Sequence, residues 1–494
     1  MSQIDIANLT FSYENMYDPI FENVSFQIDT DWRLGFTGRN GRGKTTFLRL
    51  LLGELPYSGR ITASVGFEYF PCRVSDETKD AFGVAAEICP GAAEWELRRE
   101  LSLLNVSDDA LRRPFHTLSD GERTKALLAA LFLKENAFLL IDEPTNHLDA
   151  EARAAVGRWL RGKKGYILVS HDRAFLDSCA DHILSINKTG VEVQRGNFSS
   201  WMENKARRDS FETDLNERLK KDIARLETAA KRAENWAGQA EGAKYGGAGA
   251  SGLKPDRGYM GHKAAKMMKT AKSIEARRHS AALEKSSLLK NVERAETLSV
   301  SPLLYRAETL AVLENVGVSY GGAAVCSGVN FTVGRGERVA LCGRNGTGKS
   351  SLLKLLNGEN VPHGGNFRLG SGITVSYIPQ DASGLSGSLT DYARLYGVDE
   401  SLFKAILAKL DFSKTQFEKD MRDFSGGQQK KVLIARSLCE RAHLYLWDEP
   451  LNFVDVLSRM QIEDLLLACR PTIVFIEHDA AFVDRVATKR VFLG

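Results

Sequence analysis

The chain is predicted to be an α/β protein in which one domain, built on a largely parallel sheet, occurs twice with a pair of long helices between the copies. The first observation is a repeated acidic stretch, IDEPTNHLDA at 141–150 and LWDEPLNFVDV at 446–456. Aligning the two brings Lys44 onto Lys349, Ser119 onto Ser425, Asp142 onto Asp448 and His171 onto His478, with offsets of 305, 306, 306 and 307. So constant an offset over more than a hundred residues means two copies of one domain, placed at 1–198 and 308–494. The second observation is that short β-rich apolar runs (FLLID, GYILVSHD; LYLWD, TIVFIEHD) alternate with helical patterns in each copy, as in α/β folds. The third lies between the copies, at 199–307. Apolar residues recur there at helical spacing through Phe211, Leu215, Leu219, Ile223, Leu226, Ala230 and Ala233, and again through Met268, Ala271, Ile274, Ala281, Leu288 and Val292. Two such helices form an antiparallel hairpin.

Length and composition agree with this division. At 494 residues the chain is too long for one core, and 43% hydrophobic with 26% charged residues is ordinary for globular domains. The opening residues, MSQIDIANLTFSY, alternate like a strand and lack the basic start and apolar run of a signal peptide. The longest apolar runs, such as ALLAALFL at 126–133, fall far short of the ~20 residues that span a bilayer. Seven scattered cysteines without a CxxC argue against a disulfide framework or a zinc site and fit a reducing cytoplasm. The formal net charge of +3 is uneven. Residues 244–278 hold nine Lys/Arg against Asp256 and Glu275, a net of +7 that leaves −4 for the rest. That excess falls on a junction with eight glycines and one proline, GQAEGAKYGGAGASGLKPDRGYMGH (238–262), and on the start of the returning helix. The junction is read as a loop.

The residues that carry chemistry come in duplicate. GRNGRGKT (38–45) and GRNGTGKS (343–350) both fit G-x-x-x-x-G-K-[ST]. Gly38, Gly41 and Gly43, and Gly343, Gly346 and Gly348, let the backbone curl so that N–H groups face phosphate oxygens; Asn40, Thr46, Asn345 and Ser351 belong to the same loops. Lys44 and Lys349 neutralise the outer phosphates, and Thr45 and Ser350 offer a hydroxyl to Mg²⁺. A buried apolar strand then delivers Asp142 or Asp448 to the sheet edge to hold Mg²⁺ through water. The next carboxylate, Glu143 or Glu449, is placed to polarise an attacking water. His171 and His478 follow later apolar strands, in position for a γ-phosphate. LSDGE (118–122) and FSGGQ (424–428) each open a long helix, and a Ser followed by backbone N–H groups at a helix N-terminus suits an anion.

This combination resembles the ABC ATPases, over almost the whole of both repeats. The resemblance implies two tandem ABC-type P-loop ATPase domains that meet head to tail, with ATP and Mg²⁺ as cofactors. It pairs Lys44, Thr45, Asp142, Glu143 and His171 with Ser425, Gly426, Gly427 and Gln428 in a first site. Lys349, Ser350, Asp448, Glu449 and His478 are paired with Ser119 and Gly121 in a second. It implies that Tyr13 and Tyr320 stack on adenine, an ordinary core or surface tyrosine being the alternative, and that Asp149 and Asp455 reach across the interface. Gln380 of VSYIPQD stands at the family's Mg²⁺- and water-contacting glutamine, whereas FEYFPCR has Cys72 there, which cannot replace an amide that both donates and accepts. At LSDGE, Asp120 replaces a glycine and Glu122 a glutamine, adding negative charge near phosphate that is unfavourable unless the side chains turn away. Each site carries one departure.

Two fused cassettes joined by a helical hairpin resemble the ABC-F branch. The wording of the linker (GNFSSW, NERLKKDIARL, KPDRGY, GHKAAKMMK, EKSSLLKNVE) resembles the Lsa-type antibiotic-resistance proteins. That resemblance implies protection of ribosomes from lincosamides, streptogramin A and pleuromutilins by a cytoplasmic monomer with intramolecular cassette pairing. Its tip residues Lys244, Tyr245, Lys254, Arg257 and Tyr259 would contact large-subunit rRNA near the peptidyl-transferase centre, and P-site tRNA is a possible further contact. ATP binding would orient the hairpin and hydrolysis release it, with drug displaced directly or through moved rRNA. A drug-independent translation factor of the same branch and the ATPase subunit of a drug exporter are the alternatives.

Overall fold

The computed structural model describes residues 2–13, 19–146, 148–187, 190–242, 302–321 and 323–493. The chain divides into two compact units, one of residues 1–201 with 296–494 and one of residues 202–295.

Both copies of the repeat fold the same way. A three-stranded antiparallel sheet opens each: β1 (Gln3–Phe11), β2 (Phe21–Asp29) and β4 (Ser58–Thr62) in the order β2-β1-β4, and β10 (Thr309–Tyr320), β11 (Ala323–Gly334) and β13 (His363–Leu369) in the order β11-β10-β13. The central sheets are parallel. In the first copy, β3 (Arg33–Gly38), β5 (Gly66–Phe70), β6 (Ala137–Asp142), β7 (Tyr166–Val169) and β8 (His182–Asn187) run in the order β5-β6-β7-β3-β8. An antiparallel β9 (Gly190–Arg195) follows. In the second, β12 (Arg338–Gly343), β14 (Val375–Ile378), β15 (Leu444–Asp448), β16 (Ile473–Ile476) and β17 (Lys489–Leu493) repeat that order as β14-β15-β16-β12-β17.

The central strands are apolar at nearly every position because both faces of the sheet are covered. Tyr445, Trp447, Ile473 and Phe475 pack on one side with Phe403 and Phe482. Leu444, Leu446, Val474 and Ile476 pack on the other with Leu352 and Val316. Alternate residues thus serve two cores, and the indole N–H of Trp447 is satisfied by Ser437 Oγ at 2.9 Å. This frame brings the carboxyl ends of β3, β6 and β7 side by side, and likewise those of β12, β15 and β16, so everything the motifs supply converges on one edge.

Eight helices carry those motifs. α1 (Lys44–Leu51) and α8 (Lys349–Leu356) leave the phosphate loops, and α4 (Asp120–Phe132) and α11 (Gly426–Cys439) leave LSDGE and FSGGQ. α5 (Ala150–Arg161) and α12 (Val456–Cys469) are capped by Asp149 and Asp455, and α6 (Arg173–Cys179) and α13 (Ala480–Val486) by Asp172 and Asp479. Two shorter helices precede each LSDGE-type motif, α2 (Ala81–Ile88) and α3 (Glu94–Leu103) in the first copy and α9 (Leu389–Leu395) and α10 (Glu400–Lys409) in the second.

The first helix expected between the copies is α7 (Phe198–Gly242). Along its apolar stripe Phe211 and Leu215 are exposed and Leu219 is half-buried, and Glu212, Thr213, Asn216 and Asp222 are protected as well; the side chains of Ile223, Leu226, Ala230 and Ala233 lie outside the described residues. Glu212, Asn216 and Asp222 all have partners. The second stripe and Lys244, Tyr245, Lys254, Arg257 and Tyr259 lie outside the described residues. Among the described residues no helix is long and apolar enough to cross a membrane.

Candidate functional site

The two phosphate loops depend on left-handed backbone. At Gly43, φ is 93° and an added Cβ would lie 2.4 Å from Ile20 Cγ2; at Gly343, φ is 146° and the clash is with the Leu493 carbonyl at 2.4 Å. Only glycine meets both demands. Gly38, Gly41, Gly346 and Gly348 share positive φ. The loops close on their own lysines. Lys44 Nζ donates to Gly38 O at 2.7 Å, and Lys349 Nζ to Gly343 O at 2.9 Å and Arg344 O at 2.7 Å. Burial pushes both ammonium groups below the usual lysine range, against the pull of neighbouring carboxylates.

Next to each loop stands the strand-end acid. Thr45 Oγ1 donates to Asp142 Oδ2 at 3.1 Å, and Ser350 Oγ to Asp448 Oδ1 at 3.2 Å. Burial pushes both aspartates up, although these hydroxyls oppose it. The tyrosines of FSY and VSY touch the residue after: Tyr13 Oη lies 3.1 Å from Thr46 Oγ1, and Tyr320 Oη 3.3 Å from Ser351 Oγ.

Glu143 (φ 51°) and Glu449 (φ 46°) both occupy left-handed backbone, a costly conformation for a residue with a Cβ. It turns each carboxylate toward the following histidine. His171 Nε2 lies 3.2 Å from Glu143 Oε1, and His478 Nε2 3.5 Å from Glu449 Oε1, though neither contact is aligned as a hydrogen bond. The surroundings then diverge. Gln380 Nε2 and Asn452 Nδ2 donate to Glu449 Oε2 at 3.0 and 2.7 Å. Burial alone would raise this carboxyl, but His478, Gln380 and Asn452 together hold it down at about 2. Glu143 has Cys72 where Glu449 has Gln380, and its Oε1 is buried with no hydrogen bond among the described residues. Burial, reinforced by Asp142, pushes it up to about 8. His171, buried beside Lys44 and Arg459, is driven well below the usual imidazole range.

The cassettes meet so that each phosphate loop faces the other copy's LSDGE-type motif. On one side Asn40 Nδ2 donates to Phe453 O at 2.7 Å, and a Cβ on Gly427 would lie 2.2 Å from that carbonyl and 2.8 Å from Asn40 Nδ2. Gly426 packs against the Phe453 ring, and Arg39 pairs with Asp411 at 3.2 Å. Asp455, held by Lys431 at 2.8 Å, is felt by both Lys44 and His171. On the other side lies a cavity of about 970 Å³. Ser119, Asp120, Gly121, Glu122 and Asp149 line it from the first copy; Asn345, Gly346, Lys349, Ser350, Gln380, Glu449 and His478 line it from the second. The structure brings Asn40, Lys44 and His171 to the side of Gly426, Gly427 and Asp455, and Lys349, Ser350, Glu449 and His478 to the side of Ser119 and Gly121, with Gln380 bonded to Glu449.

The two motifs differ at their helix starts. Ser119 and Ser425 both cap α4 and α11. Gln428 Oε1 accepts only the Ser425 N–H, at 2.9 Å. Glu122 Oε2 takes both the N–H and the hydroxyl of Ser119, each at 2.9 Å, while its Oε1 pairs with Arg113 at 2.8 Å. Of the two expected excess charges, that of Glu122 is therefore turned back and compensated, while Asp120 lines the cavity. Three participants carry no sequence signal of their own: Arg113, Tyr69, whose Oη donates to Asp142 Oδ2 at 3.0 Å, and Arg173, which pairs across the interface with Glu463. For Tyr69, the weakness of Cys72 was the one available clue.

This is the geometry of a paired-cassette ATPase. The family model described as ABC transporter matches residues 21–146 and 326–452, one stretch in each copy. The chain belongs to that family of ATPases, which hydrolyse ATP, and carries two of its cassettes. It is similar to the ribosome protection protein VmlR of Bacillus subtilis (27% identical over 509 residues, 99% of this chain and 87% of the relative). It is also similar to the energy-dependent translational throttle protein EttA of Escherichia coli (26% over 522 residues, 95% and 88%). Among solved structures, the archaeal ribosome recycling factor aABCE1, crystallised with ribosomal stalk protein aP1, matches with a TM-score of 0.63 at 19% identity, over 99% of this chain and 90% of that one. That likeness shows the fold.

Proposed function

We propose that the chain is a cytoplasmic, monomeric ribosome-binding ATPase that protects ribosomes from drugs acting at the peptidyl-transferase centre. The observation that carries the reading is the shared construction of the nucleotide sites. Neither cassette has a complete set, so binding ATP and joining the cassettes are one event. Whole-length similarity to a relative named a ribosome protection protein supplies the target.

In the first site Lys44 and the N–H groups of 38–46 hold phosphates, Glu143 orients the attacking water with His171, and Ser425 with Gly426 and Gly427 closes on the outer phosphate. In the second, Lys349, Glu449, His478, Ser119 and Gly121 have these roles, and Gln380 fixes Glu449. Tyr13 and Tyr320 stack on adenine. Thr45 with Asp142, and Ser350 with Asp448, present hard oxygen donors that fit Mg²⁺ and would hold it; when bound it neutralises phosphate charge. The segment 199–307 is the effector between cassettes 1–198 and 308–494, and its basic residues Lys244, Lys254 and Arg257, with Tyr245 and Tyr259, contact rRNA.

The test is cell-free translation inhibited by lincomycin or tiamulin, with and without the purified protein. Rescue that disappears when 238–262 is shortened supports the reading; no rescue at saturating protein and ATP overturns it. Similarity to EttA favours a second reading, a translation factor acting without drug. In that case the Glu143→Gln, Glu449→Gln protein accumulates on ribosomes in ATP while drug sensitivity stays unchanged.

A further inference from the structure

We propose that Arg113 is a positioning residue of the second nucleotide site, compensating Glu122 so that the Ser119 hydroxyl can be released to a phosphate. This rests on the reading of the 970 Å³ cavity as a nucleotide site.

Glu122 is the third residue of α4, where the second copy has Gln428. A glutamine there is neutral and accepts the cap's N–H. A carboxylate does the same and also takes the hydroxyl proton, as the two 2.9 Å contacts to Ser119 record. It brings a negative charge into a cavity whose other wall holds Lys349 and Ser350. A phosphate arriving between them is repelled by Glu122 and finds the hydroxyl already committed. Arg113 answers both problems. Its Nη2, 2.8 Å from Glu122 Oε1, neutralises the carboxylate on the side away from Ser119 and satisfies it when the hydroxyl swings out. Glu122 is in turn what anchors the guanidinium, since Arg113 Nε is buried without a hydrogen bond. The second copy has no use for this device: the residue six before Ser425 is Lys419, which is exposed.

The experiment uses the full chain in a Lys44→Met background, where binding of mant-ATP, followed by fluorescence, reports the second site. Arg113→Ala is expected to weaken binding about tenfold, the scale of one uncompensated charge a few ångströms from phosphate. Arg113→Lys, which keeps the charge, should stay within about threefold. Glu122→Gln combined with Arg113→Ala should recover the affinity of Glu122→Gln alone. The proposal is overturned if Arg113→Ala binds normally, or if the double variant stays as weak as Arg113→Ala, which would make Arg113 a mere prop for the fold. Should mant-ATP still bind after Lys349→Met is added, the reading of the cavity fails first.

Discussion

The two nucleotide sites are assembled from the same motifs, yet different residues surround them. Around Lys44 the opposing copy presses its backbone onto the loop: Phe453 O takes the Asn40 amide, Gly427 leaves no room for a Cβ, and Asp455 is buried with Lys431. Around Lys349, among the described residues, Arg344 bridges to Glu151 at 2.7 Å, with side chains 74% and 63% exposed, a pair worth little in water. The glutamates differ as well: Glu449 is ionised and held by two amides, while Glu143 is buried with its Oε1 unbonded among the described residues. A duplicated motif therefore keeps the chemistry and leaves protonation to whatever residues surround each copy.

The contact that does most to make the halves unlike is Arg173 with Glu463. Glu463 is fully buried, takes Arg173 from the other copy and Arg485 from its own at 2.8 Å, and has Asp479 nearby, 3.8 Å from Arg173. The mirror pair cannot form: Ala480 follows His478-Asp479 where Arg173 follows His171-Asp172, and Gly157 stands four residues after Arg153 as Glu463 does after Arg459. A Cβ at Gly157 would already lie 2.4 Å from Ser178 Oγ. Glu463→Ala leaves Arg173 buried and under-compensated, and should lower the stability of the joined cassettes by on the order of 3–5 kcal/mol, read from urea unfolding. A loss below about 1 kcal/mol would reduce this contact to the rank of an exposed pair and break the comparison at its strongest point.

What the sequence disclosed and what it hid follow from distance along the chain. The phosphate loops, the strand-end acids and the caps Ser119 and Ser425 are local patterns of a few residues, so their chemistry and duplication could be read directly. Pairings such as Asn40 with Phe453, Tyr69 with Asp142, or Arg173 with Glu463 join residues 73 to 413 positions apart and leave no local trace. Glu122 shows the halfway case: its oddness was legible, and Arg113, nine residues earlier, needed the turn before α4 to bring it round. In α7 the helical period was legible, whereas the burial of the polar Asn216 was not.

The glutamates separate the sites by pH. With Glu449→Gln, hydrolysis reports the first site, where an ionised Glu143 is needed and its carboxyl stands at about 8. Turnover should climb by up to about tenfold per unit from pH 6 and level off above that value. With Glu143→Gln, the second site runs on Glu449, held at about 2, and the same profile should be flat. Stability follows the opposite signs. The Glu143 contribution is complete below the ordinary carboxylate range and is lost as pH rises toward 8, whereas that of Glu449 is present above that range and is lost as pH falls toward 2. Parallel activity profiles for the two variants would mean that the amides around Glu449 do not set its protonation.

The smallest expected effect concerns how the first site manages with Cys72. Tyr69 donates to Asp142 and so steadies the carboxylate that Thr45 also holds; its counterpart Tyr377, pushed up to about 12 by burial and Asp448, makes no hydrogen bond to Asp448 among the described residues. Tyr69→Phe removes one hydrogen bond to a charged group, about 1.5 kcal/mol, and should raise the Mg²⁺ concentration for half-maximal turnover about tenfold in the Glu449→Gln background. Tyr377→Phe in the Glu143→Gln background should leave it unchanged. Adding Cys72→Gln to Tyr69→Phe supplies the amide that the second site has in Gln380, and recovery of the Mg²⁺ dependence would mean that a phenol from one position and an amide three residues later are alternative ways of ordering the same edge of the sheet. If the glutamine brings nothing back, Tyr69 acts on Asp142 alone, and the two sites differ in kind at this edge rather than in which residue completes it.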